Sequence, residues 1–259
     1  MSDSIVPIAF PISQRMQSFI ELRDALRTLN QSMQNHSAYA WLVAAKEVSD
    51  MLLGEGNKKP VTPNILSLFH TMGKHFKGLA DKHPDFKDNL LQAATGLEEH
   101  AESIRDALPK ASAFLQSDAW LTAYADAMRK QDPIGHKLTL PQSIQHVWLG
   151  AEQHAQALYQ LVEPIIQALE HLNQMLHAHV PWEHRVAKEG SDQITLHAQD
   201  DIGLLIVGVP KEVLAQGILP SCSGFRSIIR LRFTQWQAGK PAQELNQDQA
   251  YMLMMVPIS

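Results

Sequence analysis

The feature that most constrains this chain is an unbroken apolar repeat. Ile144, Trp148, Ala151, Ala155, Leu158, Val162, Ile165, Leu169, Leu172 and Leu176 follow one another in alternating steps of four and three. That spacing puts every one of them on one stripe of an α-helix. Pro141 sits well in the first turn of such a helix, and Pro164 predicts a kink near residues 160–164. A stripe this long must be covered, inside a bundle or by a second copy of the chain. The bundle core is the simpler reading, and the two can coexist.

The helical period extends back to about residue 12. One helix carries Met16, Phe19, Leu22, Leu26, Leu29 and Met33, after the start signal Pro11-Ile12-Ser13. A second carries Trp41, Ala45, Val48 and Leu52 and breaks at residues 54–60. A third carries Ile65, Leu68, Met72, Phe76 and Leu79, and a fourth runs from Leu90 to Leu108. Asp85 is the expected N-cap of the fourth helix and Pro109 its expected stop. A shorter helix is expected over about 117–131.

Around Pro181 the texture changes. Residues 203–209 are charge-free and β-rich, 227–236 alternate strictly, and 250–258 are apolar. They read as three antiparallel strands, with Gly and Pro as turn material between them. Residues 5–10 read as an edge strand because Pro7 lacks a donor, and 137–140 as a short strand. The expected fold class is α+β: a mainly helical bundle domain (11–179) inserted between the first strand and a small, mostly antiparallel β-sheet domain (1–10 plus 180–259).

Hydrophobic residues make up 45% of the chain and charged ones 19%, so a normal core forms and wholesale disorder is excluded. Lys+Arg is 22 against Asp+Glu 27, a net −5, which disfavours coating of nucleic acid. Cys222 is the single cysteine, so neither an intrachain disulfide nor a multi-cysteine zinc site is available. With no secretory signature at the start and no apolar run of membrane-spanning length, the expected location is the cytoplasm.

Catalytic signatures are missing: there is no H-E-x-x-H, G-x-S-x-G or Walker A pattern. His171, His177 and His179 are spaced by six and two, which does not align metal ligands on one helical face. Cys222 stands in a Pro-Ser-Cys-Ser-Gly stretch read as a loop, with no evident base. The expectation is a protein with no catalytic residues, no metal and no cofactor; an enzyme with a bundle-core pocket is the remote alternative.

One constellation stands out on charge. Between Pro220 and Pro241 lie Arg226, Arg230, Arg232 and Lys240, and no acid. On a strand, Arg230 and Arg232 share a face, as does Arg226 if the strand reaches it. Ile229, Leu231 and Phe233 face the other way, toward a core. Cations about 7 Å apart repel unless an anion intervenes. The strands then expected as neighbours (5–10, 203–209, 250–258) carry no acid. Compensation must come from Asp200, Asp201 or Glu244, or from a partner. The readings are a hydrated basic face, a dock for a carboxylate-bearing peptide, and an RNA- or polyanion-binding regulatory module using strand 226–232.

Several motifs in order resemble the ZapD family of bacterial cell-division proteins. They are Phe10-Pro11-Ile12 with Arg15-Met16; residues 47–52; residues 114–118; Leu140-Pro141 followed by His146-Val147-Trp148-Leu149; and Ser223-Gly224-Phe225-Arg226-Ser227 followed by Arg232-Phe233. The resemblance spans essentially the whole chain. It implies a symmetric homodimer at the midcell division site that binds the C-terminal tail of FtsZ through a basic pocket and bundles protofilaments. It carries Arg226, Arg232, Arg15 and His146 over as partner contacts, with Lys58 and Lys59 as substitutes for lost charge. Arg230 is added by the alternation alone. Gln17 and Gln116 stand where the family carries basic residues.

Overall fold

Capping and apolar spacing set the helices. The Ser13 hydroxyl accepts the Met16 amide at 3.2 Å and opens α1 (Gln14–Gln34). Ser37 does the same for α2 (Ala38–Leu53), accepting from Ala40. Gly54 ends α2 at φ +71°, a left-handed cap where a side chain would also strike the ring of Pro60. These helices belong to a computed structural model that describes residues 4–54, 60–123, 148–178, 180–197, 201–225 and 227–258. The expected strand at 137–140 lies outside them. The chain divides into two units, Gln17–Gln174 and Met1–Met16 with Met175–Ser259. The fold is α+β, with the helical region between an N-terminal strand and a later β-sheet region.

In the helical unit, α3 (Thr62–Lys82) packs along α4 (Lys87–Ser117), and α5 runs from Trp148 to Ala178. The long repeat is confirmed: Ala151, Ala155, Leu158, Val162, Ile165, Leu169, Leu172 and Leu176 are all buried within the single chain, as a bundle core requires. The helix continues through Pro164. Arg27 clasps Glu170 through two bonds of 2.7 and 2.8 Å, and Arg23 donates to Asn173 at 2.6 Å, tying α1 to α5.

Two local expectations fail. Asp85 does not cap α4; it lies in a 3-10 turn (Pro84–Phe86), and Phe86 is the capping residue, without a side-chain bond. Pro109 does not stop α4, which continues to Ser117. Proline removes one backbone bond to the preceding turn, but Ile104, Leu108, Ala111 and Leu115 keep one buried stripe across it. Burial of that stripe outweighs one lost hydrogen bond.

Among the described residues, the β unit has two four-stranded sheets rather than one small sheet. The first has the order β1 (Ile5–Pro11), β4 (Ile202–Pro210), β8 (Gln249–Pro257), β2 (Glu183–Ala187). The second has the order β3 (Ser191–Thr195), β6 (Ile228–Gln235), β5 (Ile218–Phe225), with β7 (Gln243–Glu244) also on β6. All pairings are antiparallel. A five-residue helix, α6 (Lys211–Ala215), links β4 to β5. Strand β1 is an edge, as Pro7 predicts. Residues 203–209 are buried throughout β4. Strand β5 was expected as loop; its Pro220 is tolerated because β5 is also an edge.

The core joins both sheets: Leu205, Val207, Val209, Tyr251 and Leu253 from the first cluster with Ile194, Ile218, Ile229, Leu231 and Phe233 from the second. A polar cluster borders this layer. Asp192 accepts from Arg185 Nε at 2.9 Å and from the Tyr251 hydroxyl at 2.7 Å. Burial opposes its ionisation, but the bonds from Arg185 and Tyr251 prevail and hold its carboxyl below the usual range. Burial and Asp192 push the Tyr251 hydroxyl up.

Two predictions follow from this packing. Pro109 is exposed, so P109A restores a backbone donor without opening a cavity and is expected to stabilise the chain by about 1–3 kcal/mol, read by urea titration. D192N is expected to destabilise by about 1–3 kcal/mol at pH 7. Because the folded carboxyl titrates low, the stability it supplies is present above the ordinary aspartate value of about 3.9 and disappears as the pH falls through the folded value. The gap between wild type and D192N should therefore narrow in strong acid.

Candidate binding surface

Burial of Ile229, Leu231 and Phe233 turns Arg230 and Arg232 outward together, as the alternation predicts. Their neighbours are not those expected. Strand β6 lies in the second sheet, between β3 and β5, so Arg230 faces Gln193 and Ser223, and Arg232 faces Ser191 and Ser221. None of these four is an acid. The compensating charge comes from β7: Arg232 donates to Glu244 at 3.0 Å. The Arg232 and Glu244 side chains are 51% and 73% exposed, so the pair is screened and contributes only ~0.2–1 kcal/mol. Arg230 has no carboxylate within ion-pair distance among the described residues.

The same face carries exposed apolar groups. Ile228 and Leu219 are about two-fifths exposed and Trp236 57%. The Trp236 indole donates to the Thr234 hydroxyl at 3.0 Å, which orients its ring. Accessible arginine and tryptophan are the residue types that dominate binding energy in interfaces.

A cleft opens at the core side of the same strand pair. It has a volume of about 460 Å³ and is lined by Phe10, Pro11, Ile12, Leu205, Cys222, Ser223, Gly224 and Ile229. Its walls come mainly from β1 and β5, one edge strand of each sheet, with Leu205 of β4 and Ile229 of β6 behind them at the margin of the inter-sheet core. Gly224, at φ +156°, has no room for a side chain, because a Cβ there would strike the Ile228 carbonyl. Ser223 lines the cleft and is the register partner of Arg230, so one strand pair, β5–β6, carries the cleft wall on its core side and the cationic ridge on its outer side.

Phe10-Pro11-Ile12 and Ser223-Gly224, more than 200 residues apart, thus wall one cavity. Arg15, half-buried, stands in the first turn of α1 just beyond Ile12. Arg226, His146, Lys58 and Lys59 lie outside the described residues. Sequence reasoning missed Ser191, Gln193 and the cleft; the alternation of SDQIT around buried Ile194 was the available signal for β3.

Cys222 is on β5, not in a loop, and burial pushes its thiol up to about 12. It stays protonated at neutral pH, the wrong state for a nucleophile. No group of three or more His, Cys, Asp or Glu suited to a metal ion occurs among the described residues, and no helix there is long and apolar enough to cross a membrane. The chain matches no family model and no curated protein.

Alkylation of Cys222 by a maleimide at pH 8 is expected to run roughly a thousandfold slower than that of free cysteine, given about 12 against an ordinary 8.5. Mass spectrometry of timed samples measures it.

Proposed function

We propose that this protein is a non-enzymatic cell-division factor of the ZapD kind. It binds the C-terminal tail of FtsZ and, as a homodimer, cross-links protofilaments at the midcell division site in the cytoplasm. The observation that carries this reading is the exposed Arg230–Arg232 ridge on β6, whose register partner on β5, Ser223, walls the apolar cleft. A carboxylate-bearing peptide that crosses the edge strand β5 finds guanidiniums for its acids on one side and a pocket for an aliphatic or aromatic side chain on the other. The two segments that wall the cleft are also among those that carry the family resemblance.

Each contact in such a site is weak, and the function does not need it to be strong. A dimer presents two sites, and a polymer presents many tails. Once one site is engaged, the second binds at a high effective concentration. Because the contacts are charge-assisted and exposed, bundling fades as salt shortens the Debye length from about 10 Å at 0.1 M.

The test is co-sedimentation with FtsZ polymers at low salt. The protein is expected to pellet with full-length FtsZ and not with FtsZ lacking its tail. Equal pelleting with both would place the contact elsewhere. The R230E/R232E variant is expected to lose at least tenfold in tail affinity while its thermal midpoint stays within a few degrees of wild type, since both side chains are exposed. Undiminished bundling by this variant would remove the ridge from the mechanism.

A further inference from the structure

The carboxylate that meets Arg232 is the chain's own. Strand β7 is only two residues long, with Glu244 opposite Thr234 and Gln243 opposite Gln235. Its backbone is pinned next door: the Leu245 amide donates to the Phe233 carbonyl at 3.2 Å, and the Leu245 side chain is buried. The Phe233 amide in turn donates to the Gly190 carbonyl at 2.8 Å. The Glu244 side chain, by contrast, stands mostly in solvent. It can leave Arg232 by side-chain rotation alone, without disturbing the sheet.

Arg232 also overlooks a small pocket of about 110 Å³, distinct in its lining from the larger cleft. Gly190, Ser191, Phe233 and Leu245 form its wall, with Arg232, Glu244 and Glu189 among the lining residues. The volume suits a carboxyl group with a few waters. With Glu244 in place, the charges around it are one cation and two anions, so an external anion is opposed. With Glu244 rotated away, Arg232 offers a free guanidinium fork, and the Ser191 hydroxyl supplies an uncharged side-chain donor in the lining.

We propose that Arg232 and this pocket form a carboxylate-binding subsite that Glu244 occupies as an internal competitor. An incoming peptide carboxylate exchanges with Glu244 instead of adding to a bare cation. The identity of the peptide rests on the function proposed above; the subsite does not. An exposed ion pair favours its closed arrangement by roughly 1.4- to 5-fold. A competitor with that ratio lowers apparent affinity by one plus the ratio, roughly 2- to 6-fold. Such a latch costs little affinity for a ligand that delivers its carboxylate correctly. It discourages loose anions from condensing on the ridge.

The test uses the full chain and a fluorescently labelled FtsZ tail peptide, with anisotropy as the readout. E244Q is expected to bind roughly 2- to 6-fold more tightly than wild type. E212Q, an equal charge change at the exposed Glu212 of α6, should leave affinity near wild type. In an R232Q background, E244Q should add nothing. If wild type binds the peptide and E244Q binds no more tightly than E212Q, the latch is refuted while the function above stands. If no variant binds the peptide, that function falls and the subsite is judged by acetate alone, following the Arg232 side-chain Nε–H resonance by NMR. A response at several-fold lower acetate in E244Q than in wild type sustains the subsite; equal responses overturn it.

Discussion

Burial of Ile229, Leu231 and Phe233 in one core with Leu205, Val207 and Tyr251 is the interaction on which the β unit depends. Side chains on a strand alternate with a period of two, so a slip of one residue would carry Arg230 and Arg232 into that core and push three large apolar groups into water. No surface interaction in the unit approaches the cost of burying two unpaired guanidiniums. The register is therefore fixed by hydrophobic burial, and the cationic ridge is its consequence. The side on which the arginines stand is chosen by the side that must stay dry.

The same ordering of magnitudes explains where charge is allowed inside. Asp192 points toward the inter-sheet layer only because Arg185 and Tyr251 satisfy it, and it links β2, β3 and β8 across the two sheets. Arg232 and Glu244 make a bond of similar length, but in solvent. One pair is a structural tie; the other is loose enough to exchange. Distance alone does not distinguish them; exposure does.

The helical region was legible wherever burial and spacing agree. The four-three repeat of α5 is visible because from Leu158 onward each missed step would expose a Leu, Ile or Val. Pro109 was misleading for the same reason: a local breaker signal costs less than the stripe on either side of it is worth. In the β region, β4 and β6 could be read, one as a charge-free run and the other as a strict alternation. Strands β2, β3 and β7 could not, being short and polar. Strand β5 hid behind Pro220 and Gly224, which an edge strand accommodates and a central one does not. The candidate site was half visible. The shared face of Arg230 and Arg232 is a local property of one strand. The cleft is not, since it joins residues 10–12 to residues 222–224.

The sequence by itself determined the α+β class, the inserted helical region, the dry face of β6 and the outward turn of its arginines, because each follows from the periodicity of neighbouring residues along the chain. Only the tertiary structure decided that β6 lies between β3 and β5, that Glu244 reaches Arg232, and that an edge strand of each sheet walls a cleft at Ser223, the register partner of Arg230. Strand order depends on pairing between distant segments, and the apolar pattern that fixes which face is buried carries no mark of which neighbour will bury it.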